Sequence, residues 1–395
     1  MINKKLTVFH FHNGSGGGVL SVIQNLLKYS QSKEIENHVI YTINRDKDNV
    51  KDFIIPKLAG AATEQVFYYS PRWNFYFTCK QLAKLLPDKK ALIIAHDWLE
   101  LGMSSNIGLQ NPVVFFLHGN YDYYYNLAKK HSNVIDNFIC ISKPIYHKLN
   151  NYLPGRKNAI LQRYFPVPQI QSIAKENATL NIYYCVRNLE ETGKRFLLLP
   201  QIDKLLQKAG ITVSWTVIGR GGEELNIRQG LQSLRNLTYH SNLKNEEVLS
   251  LLAKQDVFVL PSQNEGLPVA LVEAMKAGLV PLVSNWEGAT EELIIEGESG
   301  FYIDWNDAEK YAATITLLYN NRQLLRSISS EAILKAEKNF DSYRNTSAIE
   351  ESFLAVANAK KIKKYAKKVY GSRLDARCIP NLITTYIRNL TRKNV

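Results

Sequence analysis

The chain has 395 residues, 45% hydrophobic and 22% charged, with a formal net charge of +13. That balance excludes wholesale disorder and a collagen-like repeat, and the length accommodates two or three domains with ordinary cores. The 4 cysteines (Cys79, Cys140, Cys185, Cys378) are far apart and form no CxxC pair, which excludes a cysteine-based zinc site, argues against a disulfide framework and fits a reducing compartment.

The predicted elements alternate between strand and helix. The N-terminus has a short apolar run that is too brief for the core of a signal peptide, and residues 6–11 read as a first strand. It closes on His12-Asn13-Gly14-Ser15-Gly16-Gly17-Gly18, and a helix follows with Leu20, Ile23, Leu26 and Leu27 on one face. Further strands are expected at 38–43, at 92–95 before His96-Asp97, at 113–117 before His118-Gly119, and at 137–141 before Ser142-Lys143-Pro144. Residues 161–168 contain two prolines and read as a linker.

The alternation then restarts. Strands are expected at 180–186, at 212–218 ending at Gly219, at 257–260 and at 280–283, with a helix carrying Phe196, Leu199 and Leu205. From about residue 341 the chain reads as helix to its end. Short apolar strands alternating with helices mean parallel sheets covered on both faces, and two such units place a ligand in the cleft at the strands' carboxyl ends. The expected domains are 1–166, 167–345 and a basic helical segment, 346–395, returning to the first domain.

Charge is concentrated at the end. Residues 360–395 hold eleven basic side chains, Lys361 and Lys393 among them, against one acid, Asp375, and so carry +10 of the +13. A localised basic segment fits an anionic membrane surface. A solvated helix face is the plain alternative, and nucleic acid is the least expected partner. No apolar run approaches the roughly 18 residues that span a bilayer. The expected location is the cytoplasm, peripheral at the inner face of the membrane.

The motif richest in chemistry runs from Asn264 through Glu265-Gly266-Leu267-Pro268 to Glu273-Ala274-Met275-Lys276-Ala277-Gly278. Gly266 permits close approach of the backbone, Pro268 suits a first helical turn, and Gly278 suits the stop. The start of that helix offers free amides and a positive dipole end to a phosphate. Glu265 lies just before the helix and Glu273 about a turn and a half into it, with seven residues between them, so the two can contact different parts of one ligand.

In this setting the pair resembles the Glu-x7-Glu motif of retaining GT-B glycosyltransferases, family GT4. Glu287-Gly288 to Glu292 and the stretch from Glu296 to Phe301 resemble the segment that follows it. The resemblance implies two Rossmann-like domains facing a cleft and a nucleotide-sugar donor (a UDP-sugar foremost); no cofactor or essential metal is expected. It implies that Glu265 touches the donor sugar, that Glu273 binds the nucleotide ribose, and that the Gly266 and Leu267 amides meet sugar and phosphate. Arg187 and Lys194 resemble the family's diphosphate-binding cations, although Thr192 occupies the expected lysine offset and Lys194 lies two residues later, leaving Arg195 or the loop backbone as alternatives. Gly219-Arg220-Gly221-Gly222-Glu223 is similar to the family's Gly-x-Gly loop. The strand and loop from Leu237 through His240 and Asn242 to Leu243 resemble its nucleobase-side segment.

In the first half, Gly16-Gly17-Gly18 is not a dinucleotide fingerprint, because no third glycine follows at the required spacing. The resemblance assigns Gly17 and Gly18 to the donor phosphates and His118 to the donor sugar; a plain tight turn and a structural histidine are the alternatives. His96, Asp97 and Tyr123 are candidate acceptor contacts. His10 and His12 share a strand face but lack a third ligand, which points to packing rather than metal. Asp46-Lys47-Asp48 spells a metal–diphosphate motif in the wrong half and reads as a solvated loop. The aromatic runs 67–77 and 121–125 are candidate acceptor or membrane contacts, with helix packing as the alternative.

The expected function is thus transfer of a sugar, with retention, to a glycan or lipid-linked acceptor in surface polysaccharide or lipopolysaccharide synthesis. The rivals are a nucleotide-sugar epimerase or a phosphorylase on the same fold, and a non-catalytic lipid- or nucleic-acid-binding protein.

Overall fold

The computed structural model describes residues 5–47, 53–171, 179–189, 191–220, 224–241, 243–286, 290–360 and 363–392. Asp48, Gly221, Gly222, Glu223, Asn242, Glu287, Gly288, Lys361 and Lys393 lie outside them.

The first lobe runs β1 (Leu6–His12), α1 (Gly18–Lys28), β2 (Ile35–Asn44), β3 (Thr63–Tyr69), α2 (Phe75–Ala83), β4 (Leu92–Ala95), α3 (Trp98–Ile107), β5 (Val113–Leu117), α4 (Asp122–Lys130), β6 (Asn137–Cys140), α5 (Lys143–Tyr152) and β7 (Ile160–Gln162). The second runs β8 (Leu180–Asn188), α6 (Glu191–Lys194), α7 (Leu198–Lys208), β9 (Val213–Arg220), α8 (Glu224–Leu231), β10 (Leu237–His240), α9 (Asn245–Leu252), β11 (Val257–Leu260), α10 (Val269–Lys276), β12 (Val280–Val283), β13 (Phe301–Tyr302), α11 (Ala308–Asn320) and α12 (Arg322–Phe340). α13 (Ser342–Asn358) and α14 (Asn381–Arg392) close the chain.

Both sheets are parallel. Their orders are β3-β2-β1-β4-β5-β6-β7 and β10-β9-β8-β11-β12-β13. β4, β5, β11 and β12 are buried along their whole length, which is why they read as continuous apolar runs rather than alternating ones. The order reverses between β1 and β4 and again between β8 and β11, and a doubly wound sheet opens a crevice at such a point. His12, His96 and Arg187 all lie at or beside these reversals.

β3, β7 and β13 depart from the expected strands. β3 is an edge strand with Thr63, Glu64 and Gln65 in its first half and no buried run, so its hydrophobic signal is weak. β7 has three residues and β13 two, too short for any periodicity.

The two crossings between the lobes are tied together. The Val167 amide donates to the Phe340 carbonyl at 3.3 Å. The buried Lys276 ammonium, at the end of α10, donates to the carbonyls of Val167 at 2.7 Å and Phe340 at 2.9 Å. The Asn345 amide adds a bond to the Phe165 carbonyl at 3.2 Å. The helix that carries Glu273 is therefore fixed directly to the hinge.

The chain end returns to the first lobe. α13 packs on α1, and Phe353 meets the rings of His10 and Phe116. Residues 363–371 contain no helix, unlike the expected helical segment. They lie as a strap whose backbone bonds go to the first lobe: Lys367 N–H donates to the Ser105 carbonyl at 2.8 Å, and Gln110 donates to the Lys364 carbonyl at 2.8 Å. Lys364 is buried, paired with Asp136 at 2.6 Å. Tyr370 wedges against Phe75, Trp98 and His131.

Candidate functional site

The glycine loop after β1 faces the second lobe at close quarters. Gly17 has φ +109°, a conformation L-residues rarely adopt, and a Cβ there would lie 2.6 Å from Arg187 Cδ. A Cβ at Gly16 would come within 3.1 Å of the Arg220 guanidinium, and one at Gly18 within 3.3 Å of the Val269 side chain at the start of α10. The three glycines thus let α1 approach Arg187, Arg220 and the N-terminus of α10 together.

A second close approach sits opposite. A Cβ at Gly266 would meet Gly119 Cα at 2.6 Å and the His118 carbonyl at 2.7 Å. What Gly266 admits is the backbone of the other lobe, where its sequence setting pointed to a ligand. The Tyr121 hydroxyl also crosses, donating to the Asn264 carbonyl at 3.3 Å.

Between these approaches lie the charged groups. The Lys194 ammonium pairs with Glu265, which is mostly buried. The Gly193 carbonyl accepts from the Gln263 amide at 2.8 Å, holding the Lys194 loop to the Glu265 loop. Arg195, the alternative cation, stacks over Trp305 at 5.2 Å and bonds Asn306, so its guanidinium is occupied at the loop's outer side.

Glu273 is buried on α10, and burial pushes its carboxyl up to about 8. Its Oε1 is buried without a hydrogen-bond partner among the described residues. An orphaned carboxyl oxygen of this kind is costly and calls for a hydroxyl or water to satisfy it. Leu267 buries its side chain in the core. At the end of β9, Gly219 passes under Val186, and its carbonyl accepts from the Tyr239 hydroxyl at 3.0 Å. Beyond β10, a cavity of about 420 Å³ is lined by His240, Leu243, Glu246, Glu247, Ser250 and Leu251.

The first-lobe wall is a set of four histidines. His118 Nε2 lies 2.7 Å from His96 Nδ1, and His96 stacks on His10 at 5.9 Å. Burial pushes His10 and His12 down to about 4 and His118 to about 3. The Arg187 charge reinforces the shift at His12, and His12 reinforces it at His118. His96 is lowered by burial and by the other three rings. All four are therefore neutral near pH 7. His96, a candidate acceptor residue, is buried behind His118, and its Nε2 is buried without a hydrogen-bond partner among the described residues.

Asp97 caps α3, accepts from Trp98 N at 2.8 Å and from Asn13 at 3.4 Å, and takes the Tyr123 hydroxyl. Tyr123 is half exposed at this edge. The candidate acceptor residues Asp97 and Tyr123 thus meet, with Asn13 as a neighbour not singled out in the sequence. Arg220, within the glycine-rich loop of the sequence, ends β9 and faces Gly16. Glu292 ties the lobes together, accepting from the Lys143 amide at 2.8 Å and from the Tyr164 hydroxyl.

Among the described residues no three His, Cys, Asp or Glu side chains are grouped to hold a metal. Asp46 accepts from Ser70 at 3.0 Å and pairs with Arg72 at 3.3 Å. No helix of the described residues is long and apolar enough to cross a membrane.

Residues 167–335 match the family model for glycosyl transferases group 1. The chain is 31% identical over 160 residues to the amylovoran biosynthesis glycosyltransferase AmsK of Erwinia amylovora, spanning 38% of this chain and 39% of that one. It is 24% identical over 222 residues to N,N'-diacetylbacillosaminyl-diphospho-undecaprenol alpha-1,3-N-acetylgalactosaminyltransferase of Campylobacter jejuni, spanning 55% and 54%. Matches to several such curated relatives span 36% to 41% of their length. Among solved structures, Anabaena Alr3699/HepE in complex with UDP and glucose superposes with TM-score 0.70 at 15% identity, over 89% of this chain and 100% of that one. The pneumococcal O-GlcNAc transferase GtfA in complex with UDP and GlcNAc gives 0.68 at 12% identity, over 90% and 100%. The second lobe thus carries the match to the glycosyl transferases group 1 family, and the two lobes together have the GT-B fold of these solved structures.

Proposed function

We propose that the protein is a retaining glycosyltransferase that moves a sugar from a nucleotide-sugar, foremost a UDP-sugar, to a glycan or lipid-linked acceptor in surface polysaccharide or lipopolysaccharide synthesis. The observation that carries this reading is the orphaned, buried Glu273 oxygen on the helix whose N-terminus faces Gly18, with Arg187 and the Lys194–Glu265 pair beside it. A ribose hydroxyl satisfies such an oxygen. The match of residues 167–335 to glycosyl transferases group 1 supports the reaction class, and relatives named for colanic acid, amylovoran and undecaprenol-linked glycans support the acceptor class. The lobes divide in this reading at 166/167 and 345/346, with the donor in the second and the acceptor in the first.

Each group then has a task. Arg187, Lys194 and the amides at the start of α10 offset the charge that develops on the leaving diphosphate. Glu265 orients the sugar and favours positive charge at the reacting carbon. Donor entry recruits Lys194 out of its pair with Glu265, which frees that carboxylate for sugar hydroxyls. Gly17, Gly18 and Gly219 let backbone approach the donor, and Gly266 and Leu267 present amides to sugar and phosphate. His118 contacts the sugar as a neutral ring positioned by His96. Asp97 and Tyr123 bind the acceptor. Its hydroxyl attacks from the face that the nucleotide leaves, and the departing phosphate takes the proton.

The test is transfer or hydrolysis of nucleotide-sugars by the purified chain, with the anomeric configuration of the first-formed product read by NMR. Glu265→Ala and Arg187→Ala should each lose at least about a hundredfold in turnover while melting like the wild type. Full activity in either variant, or an inverted product, contradicts the proposal.

A further inference from the structure

α14 is amphipathic and mounted with its polar side inward. Thr384 is fully buried, and its hydroxyl donates to the Leu374 carbonyl at 2.7 Å. The Arg388 guanidinium donates to Asp375 at 2.6 Å and to the carbonyls of Trp73 at 2.6 Å and Pro71 at 3.2 Å. The Asn381 side chain accepts from the Asn74 amide at 2.6 Å, and Arg72 donates to Asn389 at 3.2 Å. At 100° per residue these polar anchors leave Leu382, Ile383, Tyr386 and Leu390 on the other side. Those four are exposed by 83%, 48%, 65% and 50%. A helix of a globular protein ordinarily turns such a stripe to the core. Here the bonds of Thr384, Arg388 and Asn381 hold it facing out.

The surroundings say what covers it. Lys363, Lys367, Lys368, Arg373 and Arg377 are exposed on the adjoining strap and turn, and so is Tyr365. Asp375, the one acid between residues 363 and 392, is buried against Arg388. The apolar stripe is thus adjoined by cations that this segment leaves uncompensated. A symmetric second copy would bring like charges together at the rim. An anionic lipid surface accepts both features at once, apolar side chains at the headgroup boundary and cations at the phosphates.

We propose that α14 is an interfacial helix that seats the first lobe on an anionic bilayer, with the strap residues Lys367, Lys368, Arg373 and Arg377 at the headgroups. Its place in the fold gives this a consequence. Asp375 accepts from the Phe75 amide at 2.7 Å, and Phe75 and Tyr370 pack on Trp98, the residue after Asp97. The seated face therefore adjoins the candidate acceptor edge, so a membrane-anchored acceptor enters there without leaving the bilayer. That consequence rests on the proposed function; the docking itself does not.

The experiment is co-sedimentation of the full chain with vesicles of phosphatidylcholine alone or with about one-third phosphatidylglycerol. The wild type should partition onto the anionic vesicles only. The variant Leu382→Ser/Tyr386→Ser/Leu390→Ser should lose about tenfold or more in partitioning while keeping its thermal midpoint and its binding of UDP. Equal partitioning of variant and wild type overturns the proposal, as does a wild type that binds no vesicle. A homodimer in analytical ultracentrifugation that the triple variant dissociates assigns the stripe to a second copy and also overturns it. Should the triple variant unfold, Leu382→Trp supplies the second readout: its added emission should shift to the blue with anionic vesicles, and an unshifted spectrum overturns the proposal. Vesicle binding without UDP binding would uphold the docking and remove the glycosyltransferase reading.

Discussion

Glu273→Gln isolates the carboxyl on which the donor site turns. Burial raises the folded carboxyl from 4.5 to about 8. The unfolded chain loses that proton near pH 4.5, so between these values the folded state binds more protons than the unfolded one. Stability from this group is complete below pH 4.5 and falls as pH rises toward 8. By pH 7 the loss is about 3.5 kcal/mol as an upper bound, from some 2.5 pH units at roughly 1.4 kcal/mol each. Glutamine keeps the shape and cannot ionise. Denaturant unfolding at several pH values should therefore show the variant gaining on the wild type from pH 5 to pH 8. A nucleotide hydroxyl donated to Glu273 lowers its pKa, so UDP binding to the wild type near pH 7 should release a proton. Calorimetry in buffers of different ionisation enthalpy reads this directly. The variant should release none from this group and bind UDP about ten- to a hundredfold more weakly, the range for a hydrogen bond to a charged group. Parallel stability curves for the two proteins would refute the claim that the fold holds this carboxyl protonated.

Two further outcomes follow from the geometry. Gly17→Ala places a Cβ 2.6 Å from Arg187 Cδ at φ +109°, and donor turnover should drop at least about tenfold. Gly210→Ala, strained at φ +73° with open space around it, is the control; an equal loss there would remove the contact argument. The histidine wall makes the fold acid-sensitive. His10 and His12 stay neutral down to about pH 4, whereas unfolded histidines take protons near 6.5, so their stabilisation is full above 6.5 and is lost as pH falls through 4. Urea midpoints should decline across that window, and His10→Gln should make the decline shallower; an unchanged slope counts against the buried-neutral account.

The sequence made legible whatever local pattern encodes. Buried strands such as β5 and β11 are unbroken apolar runs, and α10 spans the expected residues because Pro268 and Gly278 punctuate it. Glu265 and Glu273 stand out in the sequence by their setting around a helix start, whereas Arg187 is singled out only by its resemblance to the family's diphosphate-binding stretch. Relations between distant residues were not legible. Nothing in the Gly266 neighbourhood announces that His118 and Gly119, nearly 150 positions earlier, fill the space a side chain would take. Glu292 ties the lobes through Lys143 and Tyr164 by the same kind of long-range contact. The strap at 363–371 misled because its lysines are good helix formers, and tertiary bonds to Ser105 and Gln110 overrode that local preference. α14 was expected as a basic helix; that its apolar side faces outward depends on Asn74, Pro71 and Trp73, which no window around 381–392 contains.

The most direct measurement of the central claim is isothermal titration of UDP into the wild type and Arg187→Ala. The account predicts saturable one-site binding to the wild type, weakened at least about tenfold in the variant, as loss of a charge-assisted contact to diphosphate requires. No heat of binding in the wild type, or equal affinity in both proteins, would contradict it.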